Sequence, residues 1–168
     1  MTRDKTPLAV ELAVSNQSAR KRLYRVDALR RLAERVCAGE GLRGVVEVSV
    51  LFCDDPCITQ LNREYGKRDR PTDVLSFGQA GEPGSGFRIL GDIVISLETV
   101  ERHCRGERGA MRDEVRLLFC HGLLHLLNYT HADEPTRRVM AEKQAEYLDI
   151  PLGHAWPGAP KKRVKNLK

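Results

Sequence analysis

The chain has no run of eighteen apolar residues among its 168, so nothing in it reads as a membrane-spanning helix. Its first thirty residues, beginning MTRDKTPLAVELAVSNQSARKR, interrupt every short apolar run with a charged or polar residue. No signal-peptide core is present, and a cytoplasmic location is expected. Its five cysteines (Cys37, Cys53, Cys57, Cys104, Cys120) are odd in number and share no repeating spacing, which argues against a secreted disulfide framework and for reduced thiols. Cys53 and Cys57 have no second cysteine pair to complete a metal site. There is no internal repeat. The last twelve residues, PGAPKKRVKNLK, contain no acid and five of the chain's 28 basic residues, so the net charge of +5 lies entirely there and the remainder balances. Such a tail is expected to stay solvated and to add sequence-independent attraction to phosphates.

What remains is the composition of one soluble domain. Hydrophobic residues are 41% and charged residues 30%, and a chain of this length buries about two-thirds of its unfolded surface. We expect one domain over residues 1–156 and a basic tail over 157–168. Residues 7–14 (PLAVELAV) and 44–53 (GVVEVSVLFC) read as strands. Between them a helix over 26–37 places Val26, Leu29, Leu32, Ala33 and Val36 on one side. A second helix is expected over 56–65, with Asp54-Asp55 as its cap, Pro56 in its first turn, and Ile58, Leu61 and Tyr65 as its apolar stripe. Short β-like runs at 72–77 and 92–96 flank GQAGEPGSGFRIL, an irregular loop. From Ala110 the period becomes helical through Met111, Val115, Leu118, Gly122 and Leu126. A last helix over 135–148 turns Val139, Met140, Ala145 and Leu148 inward. Strands mixed with helices early and helices later indicate an α+β domain.

Three of the five histidines fall within eleven residues, in HGLLHLLNYTH at 121–131. Residues four apart share a helix face, so His121 and His125 form a two-point clamp. Asn128 stands where a left-handed residue would end the helix and return His131 as the third ligand. Three neutral imidazoles favour zinc and leave a fourth coordination position open, as catalytic zinc sites do. Metallopeptidases with this histidine spacing carry a glutamate directly after the first histidine as general base; here that position is Gly122, which argues against proteolysis. An all-histidine site leaves the charge of the metal uncompensated and suits an anionic substrate such as a phosphodiester.

HGLLHLLNYTH, together with QLNREYG (60–66), RPTDVLSFG (70–78) and LGDIVIS (90–96), resembles the YbeY family of bacterial rRNA maturation factors, with the motifs in family order. The resemblance implies a small mixed sheet flanked by helices, one zinc ion held by His121, His125 and His131 on the end of a helix in the C-terminal half, and single-strand-specific endoribonuclease activity. It also implies a role in small-subunit rRNA 3′-end maturation and ribosome quality control, with the small ribosomal subunit and the GTPase Era as partners. The family motif usually has glycine at the position of Asn128 and aspartate at that of Thr130, and an arginine where Gly66 follows Tyr65. Arg68 is therefore the candidate for the catalytic cation, with Lys67 and Arg70 as candidate RNA-binding residues. Glu114, two helical turns before His121, reads as an ordinary surface glutamate or as a group standing behind the ligands. Asp73, Ser76 and Asp92 read as cleft-lining residues or as groups that satisfy strand ends. The alternative to a nuclease is a ribosome-assembly binding factor in which zinc orders the C-terminal half.

Overall fold

Valine and isoleucine alternation lays down a four-stranded sheet, onto which helices with one apolar face fold from both sides. The computed structural model describes residues 6–79 and 86–159. In chain order these form β1 (Ala9–Asn16), α1 (Val26–Gly39), β2 (Val45–Cys53), α2 (Asp55–Tyr65), β3 (Val74–Gly78), β4 (Phe87–Ser96), α3 (Leu97–His103), α4 (Arg108–Leu126) and α5 (Glu134–Leu148), followed by a 3₁₀ turn at Leu152–His154. The strand order is β1-β2-β4-β3, with β1, β2 and β4 parallel and β3 antiparallel to β4. The expected α+β domain with a small mixed sheet is therefore present. No helix among the described residues is long and apolar enough to cross a membrane. The basic tail lies, from residue 160 onward, outside the described residues.

The sheet separates two cores of unequal size. Val46, Val48, Val50 and Phe52 of β2, with Ile93 and Ile95 of β4, face α1, α4 and α5 and join Leu29, Val36, Val115, Leu118 and Met140 in the main core. On the other face Cys53 and Val94 meet Ile58 of α2 in a smaller one. The expected inward positions of α4 are all buried. Three other expectations fail: Val139 is 47% exposed, Tyr65 is 66% exposed with only a ring contact to Phe77, and Val26 at the first turn of α1 is exposed. Met140 faces the core, and its neighbour Val139 points about 100° away on the helix.

β4 begins earlier than its sequence suggests. Phe87–Leu90 belong to the strand, not to the irregular loop, because a bulge absorbs the glycine: Glu47 pairs with Ile89 and Val48 with Gly91, leaving Leu90 extra. Gly91 has φ +137°, and a Cβ there would collide with the Phe77 carbonyl. Sequence reading also misses α3, seven residues capped by Ser96, whose hydroxyl accepts from the Thr99 N–H. Asp54 occupies the N-cap of α2 as expected, with proline in the first turn, but its carboxylate accepts from Ser18 Oγ and the Ala19 N–H instead of from the helix.

Candidate metal centre

The centre is assembled where α4 ends. Leu127 caps the helix and Asn128 follows in the left-handed conformation at φ 69°. The Tyr129 N–H then donates to Leu124 O and the Asn128 N–H to His125 O, the paired bonds of a Schellman turn. The expected role of Asn128 is thus realised: the turn sends the chain back over the helix end, and His131 returns beside His121 and His125. One ligating atom from each of the three histidines lies within 4.8 Å of the others.

Two hydrogen bonds fix the tautomers. Gln144 of α5, fully buried, donates through Nε2 to the Ala155 carbonyl, which leaves its Oε1 to accept from His121 Nδ1 at 2.7 Å. His125 Nδ1 faces the Tyr129 carbonyl at 2.9 Å, a group that can only accept. Both Nδ1 atoms therefore carry hydrogen, and the Nε2 lone pairs of His121 and His125 point at one another 3.0 Å apart. Two facing lone pairs at that distance repel unless a cation joins them, so this donor set fits a metal ion. Burial, and then the proximity of His125, pushes His121 down to about 3, and burial also lowers His125, so both stay neutral and ready to ligate. Behind the turn, the Glu40 carboxylate accepts from Tyr129 OH at 2.7 Å, Tyr147 OH at 2.5 Å and Lys143 Nζ at 3.1 Å, tying the end of α1 to the metal turn and α5.

Gly122 lies between the two helix histidines and against β4. A Cβ there would come within 2.9 Å of Ile93 Cγ2, so the glycine lets α4 seat on the sheet without displacing Ile93. Any side chain there, a peptidase glutamate included, would require Ile93 or the helix to shift.

The triad opens into a cleft of about 890 Å³ lined by Thr72–Ser76, Asn128–Thr130 and Trp156, far more room than a metal ion needs. Asp73 is the acidic residue among those lining residues. Burial, then the charge of Glu114, raises its carboxyl above the ordinary range, while its backbone carbonyl accepts from the Ser96 N–H. Asp73 thus both lines the cleft and anchors a strand. Ser76 also lines the cleft, with Oγ 3.5 Å from Gly122 O. Asp92 does not; it accepts from Ser49 across β2 and β4. Glu114 is not a surface residue: it is 2% exposed, and its carboxylate accepts from the Gly158 N–H at 2.9 Å.

Arg68 and Arg70 line a second hollow with Asn62, Arg102 and His103, which shares the lining residues Thr72 and Asp73 with the metal cleft. Lys67 is exposed at φ 56° in the turn before it and does not line either hollow. Sequence reasoning missed Gln144, Trp156 and Arg102, which come from elements remote from the histidine motif and belong to no spacing that could have marked them.

Residues 13–150 match the family described as Endoribonuclease YbeY. A protein named Endoribonuclease YbeY from Pelotomaculum thermopropionicum is 47% identical over 125 residues, covering 71% of this chain and 82% of its own. One of the same name from Aquifex aeolicus is 46% identical over 112 residues, covering 67% and 73%. The solution structure of TM1509 from Thermotoga maritima aligns with a TM-score of 0.57 at 25% identity, over 93% of this chain and 100% of that one.

Proposed function

Because the chain belongs to the YbeY endoribonuclease family, we propose that it cleaves single-stranded RNA at a zinc ion held by His121, His125 and His131, in the cytoplasm, during small-subunit rRNA 3′-end maturation and ribosome quality control. The observation that carries this reading is the pair of opposed Nε2 lone pairs with both Nδ1 hydrogens engaged, beside a cleft large enough for a nucleotide. A zinc ion bound there would polarise a phosphoryl oxygen and lower the pKa of water toward ~7.

The chain's own residues supply the rest. Gln144 and the Tyr129 carbonyl hold the imidazoles in the ligating tautomer. Asp73, with its carboxyl raised by burial and by Glu114, lines the cleft beside the histidines and is the acidic side chain placed there to accept a proton. Arg68 and Arg70, in the hollow that adjoins at Thr72 and Asp73, offset charge on the RNA backbone, with Arg68 nearest in role to the arginine that Gly66 replaces and Lys67 adding charge at the rim. The small ribosomal subunit and Era are the partners this role implies.

The test is cleavage of a single-stranded RNA spanning the small-subunit 3′ end by rigorously purified protein, beside His121→Ala and His125→Ala. The wild type should hold one zinc per chain and cut, and both variants should lose metal and activity. Equal cleavage by all three overturns the proposal. Zinc and RNA binding without cleavage would favour the assembly-factor alternative.

A further inference from the structure

The chain's single tryptophan stands on the wall of the metal cleft, and nothing in the histidine motif requires it there. The Trp156 ring meets His121 at 5.3 Å and His131 at 5.2 Å between centroids, nearly perpendicular to both. It is only partly buried, yet its flanks are fixed. Ala155, fully buried, gives its carbonyl to Gln144, and the Gly158 N–H donates to Glu114, so a buried polar side chain from each of α5 and α4 clamps the segment on either side of the indole. An aromatic ring held this way loses little conformational freedom when something stacks on it.

The Arg137 guanidinium of α5 lies over the ring, 4.7 Å from its centroid. The nearest acid paired with Arg137 is Glu134 at 3.9 Å, and both side chains are well exposed, so this pair takes little of the arginine's charge. A guanidinium laid over an aromatic ring at the edge of a cleft is a surface that single-stranded nucleic acids bind: bases stack on guanidinium planes as on aromatic rings, and phosphates meet the charge.

We propose that Trp156 and Arg137 form a nucleotide platform beside the metal centre, in which the guanidinium held on the indole receives a base flanking the scissile phosphate and meets the adjoining phosphate. This rests on the single-stranded RNA reading given above and makes Trp156 and Arg137, on α5 and the segment beyond it, determinants of substrate affinity distinct from Arg68.

The sole tryptophan makes the test direct. Titrating zinc-loaded protein with a 2′-O-methyl single-stranded oligonucleotide should quench Trp156 fluorescence saturably, with the same midpoint as binding followed by anisotropy of a labelled strand. Trp156→Ala should weaken binding by roughly five- to a hundredfold, raise KM for a cleavable RNA and leave kcat nearly unchanged. Trp156→Phe should recover most of the loss. Arg137→Ala should weaken binding and reduce the slope of log K against log salt by about 0.7. Zinc content is measured on each variant: loss of zinc from Trp156→Phe would make the ring a prop for the ligands and overturn the platform. Oligonucleotide binding with unaltered fluorescence, or equal affinity in wild type and Trp156→Ala, also overturns it while leaving the nuclease reading intact. A wild-type protein that neither binds nor cuts single-stranded RNA removes both.

Discussion

Gln144 Oε1 accepts the Nδ1 hydrogen of His121 at 2.7 Å while the same amide donates to the Ala155 carbonyl. One fully buried side chain on α5 therefore sets the tautomer of a metal-site histidine and anchors the segment that carries Trp156. The two jobs can be separated. Gln144→Ala should lower zinc affinity about 10- to 100-fold in a chelator-competition titration and cost about 1–3 kcal/mol of stability from the polar groups left without partners. Gln144→Glu keeps an acceptor for His121 and loses the donor to Ala155, so it should retain most of the zinc affinity while still losing stability. Equal zinc affinity in Gln144→Ala and wild type would show that packing alone orients His121.

Asn128 carries the turn that returns His131, at φ 69°. Asparagine bears this conformation at modest cost and glycine at none, whereas a β-branched side chain does not tolerate it. Asn128→Gly should leave melting temperature and zinc stoichiometry close to wild type. Asn128→Val should lose about 1–2 kcal/mol and bind zinc less tightly, because strain released by opening the turn moves His131 away. Wild-type zinc affinity in Asn128→Val would show that the turn does not position the third ligand.

Asn128 also marks how far the sequence could be read. Its position, the H-x3-H clamp and the buried stripe of α4 all follow from helical period and end signals, which are local. The start of β4 was hidden because glycine in a strand reads as a loop until a bulge and the Phe77 carbonyl supply its reason. α3 was hidden by its length of seven residues, too few for a period to show. Gln144 and Trp156 reach the centre from α5 and the segment beyond it, brought there by the packing of α5 on α4, and long-range packing leaves no mark in spacing. Sequence reading left Glu114 open between a surface acid and a group behind the ligands for the same reason: a partner of its carboxylate is the Gly158 N–H, 44 positions away.

Asp73 should reveal itself by effects of opposite sign. Its carboxyl is held above the ordinary range by burial and then by Glu114, with the hydrogen bond from the Val74 backbone N–H acting the other way. As pH rises from the unfolded value near 3.9 toward the higher folded one, the unfolded chain releases its proton first, so stability falls across that window and the loss persists above it. Asp73→Asn removes the loss. The variant should be at least as stable as wild type at pH 7, with the gain shrinking as pH falls through the raised folded value and gone below about 4. If Asp73 accepts the proton in catalysis, the same substitution should cut the cleavage rate by about 10²–10⁴. A variant that is less stable at pH 7 than wild type, measured by denaturant unfolding, would contradict the raised carboxyl, and undiminished cleavage would remove the catalytic role.

Gly122 links the fit of α4 on the sheet to the metal centre. A methyl group there would lie 2.9 Å from Ile93 Cγ2 and 3.1 Å from Cδ1, so the helix must lift or Ile93 must shift. Gly122→Ala gains up to about 1 kcal/mol in helix propensity against about 1–3 kcal/mol of overpacking, and a net loss is expected because Ile93 is fully buried in the core and can shift only against its neighbours. Lifting α4 also carries His121 and His125 away from the β3 wall of the cleft, so zinc affinity should fall together with stability. Ile93→Ala alone opens a cavity and destabilises, but in the Gly122→Ala background it removes the clash. The double mutant should therefore be more stable than the sum of the two single effects by about 1 kcal/mol or more, with part of the zinc affinity restored. Simple additivity in stability would show that the helix absorbs the methyl group elsewhere, and that the glycine at this position is not what seats the ligand-bearing helix on the sheet.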